Sequence, residues 1–413
     1  MPIVAWVNSK KLAAVVALGV AAFYLALSGS NVATQRAFIM VVVMLGAVLL
    51  DRRALSLRTV ALSACVLLVW QPESLLEPGF QMSFAATIAL IWGFGVFEGQ
   101  LIRETLPRWT MPIFTLVLSS VIAGVATAPF AAAHFNRMTD YGLIANLLTV
   151  PVMGAVVMPS GAVAALAAPF GLADLPLWIM ELGARWILFI AHWIASLDGA
   201  VTAVPTPPWL VLPVLSAGAL WVILVQGRVR ALGMLPVVAA FLVWGMAERP
   251  ALLISSDAAL VGLLGPEGRA MSSAKGAGFS ADSWLENDGD LAVQDQAAAR
   301  DGFAGPKGRR SFALAGWTGV HLKGKDADQA LSAACADADL VIIATMVDVP
   351  PAGCQIIDEA FLRKTGSLAL SVSQAGLVIT PSLGAKRLWT VPSASLAPLP
   401  VLAARKVALA QSD

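Results

Sequence analysis

EPGFQMSFAATIALIWGFG (residues 77–95) is apolar enough from Phe80 onward to enter a bilayer, yet its first turn carries Gln81 and Ser83 directly after Pro78-Gly79. Backbone polar groups in hydrocarbon must be satisfied within the protein. Two readings follow. Gln81 and Ser83 cap amides freed after the Pro-Gly pair, or they stand at a polar mouth where the helix meets something other than lipid. The residues alone leave both open.

A crossing helix needs about 20 apolar residues, and on that rule the chain predicts about nine spans: roughly 11–28, 36–50, 58–71, 79–97, 110–133, 143–169, 175–197, 208–226 and 231–248. The second and third are short. The sixth, LIANLLTVPVMGAVVMPSGAVAALAAPF, carries Pro151, Pro159 and Gly161, and reads as one kinked helix or two half-helices. Asp, Lys, Gly and Ser reach ordinary densities only after Pro250. The expected fold is therefore a polytopic α-helical membrane protein over 1–249, followed by a small α/β domain over 250–413. Hydrophobic residues make up 58% of the 413 and charged residues 13%, against about 25% charged in soluble domains. That balance excludes an ordinary soluble enzyme. A net charge of +1 gives no bulk attraction for nucleic acid, so any such role depends on local placement.

Lys and Arg collect on cytoplasmic loops. Lys10-Lys11, then Arg52, Arg53 and Arg58, then Arg103 and Arg108, then Arg228 and Arg230 alternate with loops poor in Lys, such as QPESLLEP and SLDGAVTAVPTPP. With nine single crossings all four clusters face the cytoplasm and the tail from Pro250 lies outside, in the periplasm of a bacterium. The N-terminal run lacks a clear A-x-A-like cleavage site and reads as a first transmembrane helix, not a signal peptide.

Four ordered stretches, SGSNVATQRAFIM, RRALSLRTVALSACVLLVWQPESLLEPGFQMSFAATIAL, ATAPFAAAHFNRMTDYGLIANLLTVPVMGAVVMPSGAVA and IAHWIASLDGAV, resemble the competence membrane domain of the ComEC family over about residues 1–249. The resemblance implies an inner-membrane channel for single-stranded DNA in natural transformation. It also implies partners: single-stranded DNA, the lipid bilayer, a periplasmic DNA receptor, and a cytoplasmic motor or single-strand-binding protein. Family members usually begin with more helices and an OB-like domain, so the chain looks N-terminally shortened, acting as a homo-oligomer or with a separately encoded N-terminal part. Many members also carry a metallo-β-lactamase-like tail with clustered metal ligands. Here residues 250–413 hold one histidine, His321, and no H-x-H-x-D-H. Two-metal hydrolysis needs several such ligands at fixed spacing, so the expected tail is a degenerate, non-catalytic version without a cofactor. WLENDGDL offers Glu286, Asp288 and Asp290, which read as turn chemistry more readily than as a metal site.

A strand crossing lipid needs its phosphates partnered and its bases free to slide past aromatic or uncharged polar groups. Gln35, Arg36, Gln81, Ser83, His134, Arg137 and Asn146 fall at the outer ends of spans and are the expected vestibule. The plain alternative for Arg36 is snorkelling to the interface. Pro151, Pro159 and Gly161 interrupt the sixth span, and broken helices form transport sites in other folds. Glu181, Arg185 and His192 share one helix stripe. They read either as an intrahelical pair with an interfacial His or as the proton path of a secondary transporter for a smaller solute, the main rival function. A membrane-anchored hydrolase on Asp288, Asp290 and His321 is the third. Cys65 reads as a small core hydrophobe. Cys335 and Cys354 are candidates for a disulfide in an oxidising compartment. Lys307, Arg309 and Arg310 form the tail's basic cluster, read as a solvated loop with DNA contact as the sharper alternative.

Overall fold

The computed structural model describes residues 9–97, 107, 109–373, 376–383 and 402–403; Arg103 and Arg108 lie outside them. The chain divides into two compact units, Met1–Thr202 with Trp209–Val243, and Ala203–Pro208 with Trp244–Asp413.

The first unit is built from α1 (Ser9–Leu27), α2 (Val32–Leu49), α3 (Leu57–Trp70), α4 (Pro78–Phe97), α5 (Met111–Phe135), α6 (Gly142–Val152), α7 (Met158–Ala167), α8 (Asp174–Ala195), α9 (Val211–Leu224) and α10 (Met234–Gly245). Among the described residues, seven helical stretches are long and apolar enough to cross a membrane, with α3 and α9 as shorter apolar helices. Those two have 14 residues each, about 21 Å of helix. The second predicted span proves longer than expected, and the eighth shorter, because the chain turns extended at Val225. Outward faces are apolar: on α1 only Ala14 is buried, while Val16, Val20 and Phe23 are exposed. Cys65 is exposed on α3, so the expectation of a core position is corrected; Ser63 and Leu67 take the packed face instead.

Helix contacts rest on small residues, which let backbones approach where lipid supplies no hydrophobic drive. A Cβ on Gly93 of α4 would lie 2.6 Å from Ile122 of α5, and one on Gly218 of α9 would lie 2.8 Å from the Gly233 carbonyl. The sixth segment is one continuous helical stretch, Gly142–Phe170, long and apolar enough to cross. α6 and α7 are joined by a π-helical stretch, Met153–Val157. Pro159 has no N–H to offer the preceding turn, and a wider turn absorbs the mismatch: the Met158 amide bonds the Met153 carbonyl, five residues back. That stretch packs on Gly183 of α8, where a Cβ would lie 2.7 Å from Val157.

A two-stranded ribbon, β1 (Arg137–Thr139) with β2 (Val201–Ala203), ties the segment after α5 to the segment after α8. Thr202 Oγ1 donates to Asp140 at 2.7 Å and Tyr141 to the Asp198 carbonyl at 3.2 Å.

The second unit is a two-sheet sandwich. One sheet has the order β12-β11-β10-β3-β4-β5, formed by β3 (Leu252–Ile254), β4 (Val261–Gly265), β5 (Gly268–Met271), β10 (Leu368–Ser373), β11 (Gly376–Pro381) and β12 (Leu402–Ala403), all antiparallel. The other is β6-β7-β8-β9, from β6 (Arg309–Leu314), β7 (Trp317–Leu322), β8 (Leu340–Ile343) and β9 (Gln355–Ile357). Its β6–β7 pair is antiparallel and the others parallel. Leu252, Ile254 and Leu370 of the first sheet meet Phe312, Leu340 and Ile342 of the second in one core. α11 (Gly278–Asp288) and α12 (Gln294–Ala298) cover the first sheet's outer face through Trp284, Leu285 and Ala297 against Met271. α13 (Ala327–Asp337) covers the second through Leu331 and Ala334 against Val341 and Ile343. The order of layers is helix, sheet, sheet, helix. α14 (Glu359–Thr365) leads into β10.

Residues 203–208, between α8 and α9, belong to this second unit. Thr206 bonds Asn287 through backbone, at 2.9 Å, and through side chain, also 2.9 Å. The Trp244 indole donates to the Pro205 carbonyl at 2.8 Å.

Candidate functional site

The ends of α2, α3, α4 and α5 bring polar side chains together. Asn31 caps α2 by accepting from the Thr34 amide at 2.9 Å, which sets Gln35 and Arg36 one turn in. Gln35 donates to the Ser30 carbonyl at 2.7 Å and accepts from Gln71, the residue that ends α3, at 2.9 Å. The Pro72–Leu76 turn then leads into α4, with Pro78 at its first position, a place where the missing N–H costs nothing. Arg36 is 12% exposed and stands 4.0 Å from Glu77. Its guanidinium lies flat on Gly79, where a Cβ would be 2.6 Å from a guanidinium nitrogen. A side chain at position 79 would push the guanidinium off this seat.

Gln81 answers the question raised by the first turn of α4. Its amide nitrogen reaches back to the Leu75 carbonyl at 2.9 Å, and its oxygen lies 2.8 Å from His134 Nε2 on α5. With the Gln81 oxygen accepting, the imidazole donates from Nε2. Gln81 is thus a clamp between the turn before α4 and the end of α5, not a cap on the amides of its own helix. Ser83 is half-buried, and its carbonyl accepts from Thr87 Oγ1 at 2.8 Å. Beneath them Phe80 and Phe84 are buried, with ring centroids 4.4 Å apart.

Two other expected vestibule residues lie elsewhere. Arg137 is exposed in β1, after the buried, left-handed Asn136 that ends α5. Asn146 is exposed on the second turn of α6. Conversely, Gln71 and Glu77 belong to the cluster and were not singled out from sequence. The available signal was their position in QPESLLEP, a polar loop between two apolar helices and directly before Gln81.

Pro151 and Pro159 are exposed and Gly161 half-buried, with Gly161 3.4 Å from the Met180 sulfur if given a Cβ. Near this break the Trp186 indole of α8 donates to the Leu148 carbonyl of α6 at 3.1 Å, a side-chain partner for backbone at membrane depth. On α8, Glu181 and Arg185 form an i,i+4 pair at 2.7 Å, with side chains 55% and 73% exposed. His192 bonds its own helix at Leu188 through Nδ1, 2.7 Å away. All three are exposed, whereas Gly183 and Ile190 are the buried positions of the helix.

In the tail, Asp288 and Asp290 each hold a guanidinium. Arg269, fully buried, grips Asp288 at 2.6 and 3.1 Å and also donates to the Gly262 and Pro250 carbonyls. Arg300 takes Asp290 through both terminal nitrogens. Burial alone would raise the Asp290 carboxyl; the Arg300 hydrogen bonds and charge outweigh it and hold the group below the usual carboxylate range. His321 Nε2 lies 2.8 Å from the Ala258 carbonyl, and burial pushes the imidazole down to about 4. Glu286 is exposed on α11. Among the described residues, no three His, Cys, Asp or Glu side chains come together in a metal-binding group. Cys335 of α13 and Cys354 before β9 are disulfide-bonded, with Cα atoms 5.1 Å apart. Arg309 pairs with Asp337 at 2.8 Å and Arg310 donates to the Gly305 carbonyl.

Comparison with known proteins bears on the first unit. A family model described as "Competence protein" matches residues 1–229. ComE operon protein 3 of Bacillus subtilis (strain 168) is 33% identical over 153 residues, 36% of this chain and 18% of that protein. The matched part is therefore under a fifth of that relative's length. No solved structure matches the chain.

Proposed function

We propose that this chain, which belongs to the competence protein family, serves in DNA uptake as a channel component that passes single-stranded DNA across the bacterial inner membrane. The observation that carries the reading is the polar knot at four helix ends, where Gln35, Gln71, Arg36, Glu77, Gln81 and His134 meet. Positive charge at an entrance draws in a polyanion, and uncharged donors beyond it can partner phosphates along the path. Arg36 is the cation and the three glutamines and His134 are the donors. In the arrangement seen, these groups satisfy one another, which is the closed form of such a mouth. Opening exchanges those bonds for water and phosphate.

Three observations support the orientation. Lys11 pairs with Asp51 at 2.6 Å, so the basic cluster in the first turn of α1 and the cluster after α2 share one end of the bundle. Arg230 lies over the Trp92 ring, 4.9 Å from its centroid, toward the C-terminal half of α4 and away from Gln81. Residues 203–208 lie in one unit with the tail, as expected if α9 and α10 cross and return. On this reading the basic ends are cytoplasmic and the tail periplasmic. We read the tail as a degenerate metallo-β-lactamase-like domain without catalysis: its layers run helix, sheet, sheet, helix, and the two aspartates of WLENDGDL are occupied by Arg269 and Arg300.

Deleting the gene in a transformable host and restoring it tests the reading. Labelled DNA should reach the periplasm but not the cytoplasm in the deletion, with entry recovered on complementation. Unchanged cytoplasmic entry in the deletion would refute it.

A further inference from the structure

A cavity of about 620 Å³ in the tail is lined by four cations, Lys275, Lys307, Arg310 and Lys323, with one carboxylate, Asp295, at its edge. The four come from three separate segments: Lys275 from the loop after β5, Lys307 and Arg310 from the turn into β6 and its second residue, and Lys323 from just after β7. Such convergence is not what a solvated basic loop produces.

The walls are fixed. Lys323 donates from Nζ to the Ala259 carbonyl at 2.9 Å and from its amide to the Gly308 carbonyl at 2.9 Å. Its Nζ also lies against Gly276, 3.5 Å from where a Cβ would stand. Gln294 holds the facing loop by donating to the Ser273 and Gly276 carbonyls at 3.0 and 2.8 Å. Arg310 gives one donor to the Gly305 carbonyl, out of the five a guanidinium carries, and an ammonium carries three. Both half-buried cations thus keep donors for a ligand. Lys275 and Lys307 are exposed at the rim, and no carboxylate lies within 4.0 Å of either among the described residues. Ala274, Ala298 and Ala299 supply an apolar wall.

We propose that this cavity binds the phosphates of a single-stranded nucleic acid, with Arg310 and Lys323 on one phosphate, the rim lysines on its neighbours, and a sugar or base edge against the alanines. The assignment of the strand rests on the DNA-uptake reading; the phosphate chemistry rests on the cavity alone. Its volume fits a nucleotide unit and exceeds what a bare phosphate fills.

The test uses the full chain in nanodiscs of zwitterionic lipid, with a fluorescent oligothymidylate followed by anisotropy across a salt series. Replacing Lys275→Ala with Lys307→Ala should weaken binding at least fivefold at low salt. It should also flatten the slope of log affinity on log salt by roughly 1.4, at about 0.7 per phosphate contact on a single strand. Arg363→Ala with Lys364→Ala, equal in charge but on α14, should leave both unchanged. No binding by the unaltered chain, or an equal loss in both pairs, overturns the proposal. So does inorganic phosphate at millimolar level or a polyglutamate displacing the oligonucleotide as well as unlabelled strand does, or binding by the cavity only to vesicles containing anionic lipid. The readout is made without cells, so it can succeed where the uptake assay fails, and the reverse.

Discussion

His321 makes the tail's stability depend on pH in a window where few other groups change charge. The imidazole is 2% exposed, holds the Ala258 carbonyl, and faces Lys323, whose charge opposes protonation. Its folded value of about 4 lies below the ordinary 6.5. The sign follows. The unfolded chain binds the proton more readily, so stability is fully present above pH 6.5, falls as the pH drops, and levels off below about 4. The loss relative to pH 7 is about 0.7 kcal/mol at pH 6 and about 2 kcal/mol at pH 5, approaching roughly 3 kcal/mol at the limit. Asp257 and Asp290 are both held below the usual carboxylate range, so they contribute a separate loss only at more acid pH. The assay is hydrogen exchange of the full chain in nanodiscs, corrected for intrinsic rates, reading β7 and β8 peptides that exchange through opening of the whole sandwich. His321→Gln keeps a side-chain donor for Ala258 and removes the titration, so its opening free energy should be flat between pH 7 and 5. Equal pH slopes for both chains would show that burial of His321 is not the cause.

Three further outcomes are expected. Arg269→Met strands the buried Asp288 carboxylate and should cost about 3–5 kcal/mol; Arg269→Met with Asp288→Leu should recover much of that, though not all, because the Gly262 and Pro250 carbonyls each lose a donor, at about 1 kcal/mol apiece. Denaturant titration read by tail proteolysis checks it, and a double variant as unstable as the single one contradicts it. The Cys335–Cys354 pair should resist alkylation in intact cells without reductant, and its removal should cost about 3 kcal/mol for a loop of this length; free thiols in the cell would place the tail in a reducing compartment. Glu181→Gln should leave DNA entry within twofold, since the residue is exposed on α8 and paired with Arg185; a collapse of uptake with altered proton dependence would favour the proton-coupled transporter.

The membrane architecture was legible because span length and hydropathy act locally: every long apolar run became helix, and the charge change after Pro250 announced a different kind of folding. Positions at helix ends such as Arg36, Gln81 and His134 were legible as polar groups in costly places. Their partners were not, because Gln71–Gln35 and His134–Gln81 join residues 36 and 53 apart in sequence. Pro151 and Pro159 announced a break, but whether it splits the helix or widens one turn depends on the space that Gly183 leaves on α8. Strand β9, three residues long, carries too little periodicity to be read alone. In WLENDGDL the turn was visible, and Gly289 does end α11 in the left-handed region; the buried Arg269 that fixes Asp288 lies 19 residues upstream, out of reach of any local pattern.

Cytoplasmic entry of labelled DNA, measured beside periplasmic accumulation, tests the polar knot most directly. The comparison is between cells carrying the unaltered gene and cells carrying Arg36→Leu or Gln81→Leu with His134→Leu at equal protein level in the membrane. The account predicts normal accumulation in the periplasm and at least a tenfold loss of cytoplasmic entry in the altered cells. Entry at the unaltered rate, with both proteins present and folded, would contradict it and leave these residues as ties between helix ends.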